Sequence, residues 1–209
     1  MICPLCHTST SQIINPPQDV RFYHKCPSCK LVFADPQFLP DMEEEKKRYK
    51  THNNSLVEQG YVKFLYTLID PALSYISEDM LGLDYGCGPV PVLSLLLQRH
   101  TIQCQNYDPL FGFEPESDAF DFVFASECFE HFHKPEEELD RIDKFLGQNG
   151  FLFIMTEQWD ENTNFDTWYY LRDFTHVVFF HADTFQFIAQ KYAYKVVSND
   201  GKRRVILKK

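Results

Sequence analysis

Cys3 and Cys6, followed after nineteen residues by Cys26 and Cys29, carry the chemistry that is easiest to read. Each C-x2-C pair sits on a tight turn that Pro4 and Pro27 help to shape, and two such knuckles can set four thiolates tetrahedrally around Zn²⁺. A redox pair or an iron cluster suits the spacing less well, because no βαβ pattern flanks it. Four sulfurs complete the shell, so His7, next to Cys6, is expected to be a bystander. A closed shell leaves no position for a substrate; the zinc is structural and the catalytic groups lie elsewhere.

A second grouping is Leu81-Gly82-Leu83-Asp84-Tyr85-Gly86-Cys87-Gly88, an apolar run ending in an acid and two alternating glycines, with a helical pattern over Val90 to Gln98 behind it. It has the form strand, turn, helix. Glycines at such a turn let the backbone approach a ligand closely, and an acid at the strand end can hold a polar ligand group. The next strand, Thr101 to Tyr107, ends at Asp108, twenty residues after Gly88, where a carboxylate could accept hydrogen bonds from both ribose hydroxyls.

The third grouping is Glu127, Glu130 and His131, an E-x-x-E-H pattern read as the start of the helix that follows the strand Phe120 to Ser126. Spacings of three and four put all three on one helical face. Two carboxylates and an imidazole facing a cleft could hold a divalent ion, or the imidazole could act as a base. The bland alternative is that Glu127 caps the helix and His131 packs beneath the sheet edge. His133 falls off that face and is expected at the surface.

These groups need elements to position them. After the ribbon, Asp41 to Lys50 is a charged stretch read as a solvated helix or linker, continuing to Ser55 as a connector. Val57 to Ile76 carries apolar residues at helical spacing interrupted by Pro71, which predicts a helix, a turn and a helix. A helix over Pro135 to Leu146 and the turn Gly147 to Gly150 lead to a strand reaching Thr156. Trp159 to Thr184 is an aromatic-rich excursion before the helix Asp183 to Tyr192. Tyr194 to Ser198 and Arg204 to Lys208, joined by Asn199-Asp200-Gly201, read as a hairpin.

Charge is shared unevenly. The net charge is −10; residues 1–55 hold seven Lys/Arg against six Asp/Glu, leaving thirteen against twenty-four for residues 56–209. An acidic main body repels polyphosphates and weighs against nucleic acid as partner. No signal peptide precedes Cys3 and no uncharged run approaches a membrane span, so a cytoplasmic protein is expected, with Cys87, Cys104 and Cys128 as buried thiols.

With these pieces in place the chain resembles the class I S-adenosylmethionine-dependent methyltransferases over roughly residues 55–209. The LDYGCG loop, the acid of NYDP, the FDFVFASECFEHF segment and the GQNGFLFIMT strand entry carry the resemblance, and CPSCKLVFADP resembles the ribbon preceding many bacterial small methyltransferases. It implies an α/β fold: a Rossmann-like sheet closed by a C-terminal antiparallel hairpin, with a zinc ribbon over residues 1–40, a connector over 41–55 and the methyltransferase domain over 56–209. Only twelve residues separate Asp108 from Asp121. A helix of about 11 residues and a strand of about 5 do not fit there, so one edge strand should be missing. Val90 also stands where the family often has a third glycine.

By the same resemblance Asp84, Gly86, Cys87 and Gly88 line the cofactor's amino-acid end, Asp108 takes the ribose, and Ser126 and Glu127 complete the cleft. Glu127, Glu130 and His131 resemble residues that bind a divalent metal, here a second one, beside the acceptor oxygen in ubiquinone-pathway and small-RNA methyltransferases. His176, in a DFTH segment common near acceptor pockets, is the candidate fourth ligand or base. Trp168 and Tyr169 are expected to wall the acceptor and Arg172 to meet an acidic group on it. The expected activity is methyl transfer from S-adenosylmethionine to a small molecule, with oxygen as the acceptor atom. An RNA methyltransferase gripping its substrate with the ribbon, and a non-catalytic binding or assembly module, are the competing readings, and the oligomeric state is open.

Overall fold

The computed structural model describes residues 1–51 and 54–209; two residues of the expected 41–55 connector, His52 and Asn53, lie outside it. The amino-terminal strands β1 (Gln12–Ile14), β2 (Tyr23–Lys25) and β3 (Val32–Ala34) form an antiparallel meander. After it comes α1 (Met42–Tyr49), started by a capping box in which Asp41 and Glu44 satisfy each other's backbone amides. None of its residues is fully buried. Ion pairs tie it down instead: Glu45 meets His133 at 3.0 Å and Arg48 meets Asp173 at 2.7 Å. His133 is therefore half-buried against α1 rather than free at the surface as its spacing suggested.

The stretch expected to break at Pro71 is a single helix, α2 (Gln59–Ala72), with the proline in its last turn. Proline has no N–H for the carbonyl four residues back. That carbonyl, on Thr67, instead accepts from Arg204 Nη1 at 3.1 Å, so the helix runs on without an unpaired acceptor.

The main sheet contains β4 (Leu81–Tyr85), β5 (Gln103–Tyr107), β6 (Phe120–Ser126), β7 (Leu146–Met155), β9 (Lys195–Asn199) and β10 (Arg204–Lys208), in the order β5-β4-β6-β7-β10-β9. The first four are parallel, and the closing hairpin is antiparallel. Helices α3 (Val92–Gln98) and α4 (Pro135–Phe145) make the crossovers, and α5 (Ala182–Lys191) leads into the hairpin. As counted from the sequence, no strand lies outside β5 among the described residues. Gln105 of β5 uses its Oε1 to accept the amides of Glu116 and Ser117, which folds the 113–119 loop onto that edge. Residues 147–150, expected as a turn, are absorbed into β7 as a bulge: Phe120 pairs with Leu146 and Phe122 with Phe151.

The two sheets meet through β8 (Val178–Phe179), which pairs with β3 and makes the ribbon sheet four-stranded, β1-β2-β3-β8. Their core is continuous. Cys3, Cys29 and Phe33 of the ribbon belong to one buried cluster with Phe129, Phe180 and Phe185 of the larger unit. Inside the main sheet, strand contact is close at Gly82, where a Cβ would lie 1.8 Å from the Phe122 ring. Among the described residues no helix is long and apolar enough to cross a membrane.

Candidate active site

The four knuckle cysteines come together as the spacing predicts, one sulfur from each lying within 4.8 Å of the others. Cys3 and Cys29 are 3.6 Å apart and Cys6 and Cys26 are 3.3 Å apart. Sulfurs at about 2.3 Å from a tetrahedral zinc sit about 3.8 Å from one another, so the set fits that ion with slight relaxation. The Cys29 hydrogen bond holds the Cys3 thiol down at about 5, while burial pushes Cys26 up to about 11. His7 is outside the cluster, bonded to Glu136 at 2.6 Å.

The turn after β4 is built around Asp108. Gly86 and Cys87 donate to the Tyr107 carbonyl at 2.8 and 3.3 Å. Gly86 has φ +76, and a Cβ on it would stand 2.7 Å from that of Cys128, so both conformation and space require glycine here. Gly88 donates its amide to Asp108 Oδ2 at 2.8 Å, and Leu110 and Phe111 donate theirs to Oδ1 at 3.0 and 3.3 Å. The carboxylate thus closes the loop on itself while keeping acceptor capacity for a ligand hydroxyl. Asp84, beneath the same turn, is 3 % exposed. Burial, and then the Asp108 charge, push its carboxyl up to about 7. Val90, where the resemblance leads one to expect a third glycine, is 42 % exposed ahead of α3.

The expected helical face over Glu127, Glu130 and His131 does not form. Glu127 has φ +50, and only a single 3-10 turn, Phe129–His131, follows. That backbone bend sends the side chains apart. Glu127 goes to Arg203, whose Nη1 donates to its two oxygens at 2.9 and 3.0 Å. Arg203 Nη2 donates to Glu157 and to the Tyr169 hydroxyl, and its guanidinium stacks over Phe64 and Tyr170.

Glu130 and His131 instead meet His176, the three offering ligand atoms within 4.8 Å. Glu130 is fully buried and accepts hydroxyls on both oxygens, from Tyr170 at 2.5 Å and Thr156 at 2.7 Å. His131 Nδ1 lies 2.9 Å from the Thr175 carbonyl, and His176 Nδ1 lies 2.8 Å from the Tyr170 carbonyl. A carbonyl only accepts, so each imidazole carries a proton on Nδ1, and its neutral form has the lone pair on Nε2. Metal-binding histidines are oriented in this way. Burial holds the His176 pKa down at about 4, which keeps it neutral near pH 7. Tyr49 of α1 stands over the group, 5.1 Å from the His131 ring and 6.3 Å from that of Phe111.

Of the expected acceptor residues, Trp168 packs on Phe179 and lines an open cavity of about 570 Å³ with Phe64, Glu157, Asp160 and Arg203. Tyr169 stands half-exposed beside Arg203, and Arg172 is exposed on the same turn. Ser126 closes β6 beside Glu127. Local spacing had not marked Tyr170, Thr156 or Arg203, because each reaches the site from a distant segment.

A parallel sheet whose first strand ends in a glycine turn, with an acid from the next strand closing that turn, defines a class I methyltransferase architecture. A family profile for a methyltransferase domain matches residues 58–199. Among solved structures, a 1,6-didemethyltoxoflavin N1-methyltransferase of Burkholderia thailandensis, with 1,6-didemethyltoxoflavin and S-adenosylhomocysteine bound, aligns with TM-score 0.57 and 13 % identity over 93 % of this chain and 96 % of that one. An O-methyltransferase family protein of the same organism aligns with TM-score 0.54 and 15 % identity over 72 % of this chain, which spans 57 % of that protein's length. A SAM-dependent methyltransferase of Archaeoglobus fulgidus gives TM-score 0.51 and 15 % identity, covering 83 % and 96 % of the two chains. Comparison with curated protein sequences gives no match. The chain belongs to the S-adenosylmethionine-dependent methyltransferase family.

Proposed function

We propose that the protein transfers the methyl group of S-adenosylmethionine to an oxygen of a small-molecule acceptor. The observation that carries this reading is the pair His131 and His176, each with Nδ1 on a backbone carbonyl, beside the buried carboxylate of Glu130. Asp108 and the Gly86 and Gly88 backbone would hold the ribose and amino-acid ends of the cofactor, with Asp84, Cys87, Ser126 and Glu127 around them. Alignment of donor and acceptor supplies much of the rate of such a displacement. Bound there, S-adenosylmethionine would supply an electrophilic methyl group, passing to the acceptor oxygen as the sulfur–carbon bond breaks, while the hydroxyl proton would go to a basic nitrogen. The Nε2 of His131 would take it, and Glu130 would stabilise the charge that results.

Glu130, His131 and His176 also fit a divalent cation in donor type and tautomer, and such an ion would lower the pKa of an acceptor hydroxyl. Zinc at Cys3, Cys6, Cys26 and Cys29 would be structural. The acidic body supports a small acceptor over RNA, since residues 56–209 carry thirteen basic against twenty-four acidic residues. Trp168, Tyr169 and Arg172 would contact that acceptor.

The test is a methyl-transfer screen with labelled S-adenosylmethionine over phenols, catechols, amines and carboxylic acids, with and without Mg²⁺ or Mn²⁺. Labelled product from hydroxyl acceptors, lost in Glu130→Gln, is expected. Transfer confined to nitrogen acceptors and indifferent to Glu130 would overturn the reading.

A further inference from the structure

Arg21 lies in the ribbon between β1 and β2, and it is 6 % exposed. Its guanidinium is fully engaged. One side forks onto Asp19, with Nε donating at 3.0 and 3.1 Å and Nη2 at 2.8 Å, and Asp19 is itself held by the Tyr23 hydroxyl at 2.7 Å. The other side donates to four backbone carbonyls of one short segment: Nη1 to Asp173 at 3.3 Å, Phe174 at 2.9 Å and His176 at 3.0 Å, and Nη2 to Leu171. A planar fork with five donors can gather carbonyls in this way, and a lysine ammonium cannot.

The segment so gathered builds the Glu130, His131 and His176 group. The Tyr170 carbonyl orients His176, the Thr175 carbonyl orients His131, and the Tyr170 hydroxyl holds Glu130. The Val177 amide donates to the Glu130 carbonyl at 2.8 Å, while the Val177 carbonyl accepts from Ala34 of the ribbon at 2.8 Å. β8 then pairs with β3. Apart from the Thr156 hydroxyl on Glu130, the contacts that orient these three side chains therefore hang on a segment whose backbone is fastened to the ribbon.

We propose that Arg21 is a positioning residue: through the backbone of residues 170–176 it sets the tautomers and orientation of His131 and His176, and this is the ribbon's contribution to catalysis. The proposal rests on the catalytic reading of Glu130, His131 and His176. Without the Arg21 guanidinium the carbonyls of Leu171, Phe174 and His176 need new donors, while that of Asp173 keeps the His176 amide at 3.1 Å, and rearranging to find them removes the acceptors for both Nδ1 protons.

The experiment is imidazole ¹⁵N NMR on the full zinc-loaded chain, comparing the parent with Arg21→Met and Arg21→Lys. The parent should show His131 and His176 as Nδ1–H tautomers. Arg21→Met should move at least one of them to a tautomer mixture, while zinc content and affinity for S-adenosylhomocysteine stay within about two-fold of the parent's. Arg21→Lys, which keeps the charge without the fork, should fall between, and it replaces Arg21→Met if that variant does not fold. Unchanged tautomers in the folded variant overturn the proposal. A Mn²⁺ titration of the parent, followed by electron paramagnetic resonance, judges the metal separately: absence of binding removes the ion and leaves the tautomers to decide the role of Arg21.

Discussion

Replacing Asp108 with asparagine should weaken cofactor binding through the loop as well as through the ribose. In the parent, Oδ2 accepts the Gly88 amide and Oδ1 accepts those of Leu110 and Phe111. An asparagine offers one oxygen and one NH2. Whichever way the amide turns, one side of the loop presents its N–H groups to a donor. Hydrogen bonds to a charged group contribute about 1.5–3 kcal/mol, and removing one such interaction from the bound state corresponds to a loss of about 10- to 140-fold in affinity. Titration calorimetry with S-adenosylhomocysteine measures it directly. The parent should approach the mutant's affinity in acid, because protonating Asp108 has the same effect as the amide; burial raises its pKa and brings that loss to higher pH than for an exposed carboxyl. Equal affinities for parent and Asp108→Asn at neutral pH would refute both the ribose assignment and the loop argument.

Asp84 makes a pH prediction of its own. Its folded pKa of about 7 stands above the ordinary 3.8, so the stability this group contributes is fully present below about 4 and is lost as pH rises through 7. Asp84→Asn should therefore melt higher than the parent at pH 8 and show no such gain at pH 4; identical differences at the two pH values would count against it. Cys26→Ser should lose zinc by elemental analysis and lower the melting temperature of the whole chain in one transition, because the ribbon shares its core with the larger unit. Two separate transitions would contradict that sharing. Gly82→Ala, which drives a methyl into the Phe122 ring, should cost about 1–3 kcal/mol in denaturant unfolding, and an unchanged midpoint would show the strands able to part.

The parts of the site legible in the sequence are those made by neighbours along the chain. The knuckles, the glycine turn and the Asn199-Asp200-Gly201 hairpin are local geometry, and Gly201 takes the positive φ, +67, that such a turn requires. The missing edge strand was legible by counting, since too few residues were available. Glu127 was misplaced because helical spacing presumes a helix, and the chain leaves β6 through a left-handed residue instead. Its partner, Arg203, is 76 positions away, and Tyr170, the partner of Glu130, is 40 away. No periodicity reports such pairs. β8 is two residues long and sits in an aromatic run that looks like a lid. In the sequence Arg21 counts only as one of the seven basic residues of positions 1–55, although it is a buried hub.

The β3 to β8 pairing also bears on how the chain reaches its folded state. The carbonyl of Cys29, in the second knuckle, accepts from the Thr184 hydroxyl 155 residues further on, and Arg21 reaches Leu171 across 150. During synthesis the ribbon emerges before the larger unit, yet its fourth strand and the Thr184 hydroxyl on its second knuckle are made much later. Contacts of such sequence separation form slowly, because loop closure precedes any gain from pairing. Early zinc capture would hold the amino-terminal segment as a small template that waits for its last strand. Metal supply during translation, more than after it, would then govern the yield of folded enzyme, and a chain stripped of residues 1–40 would leave β8 without its partner β3.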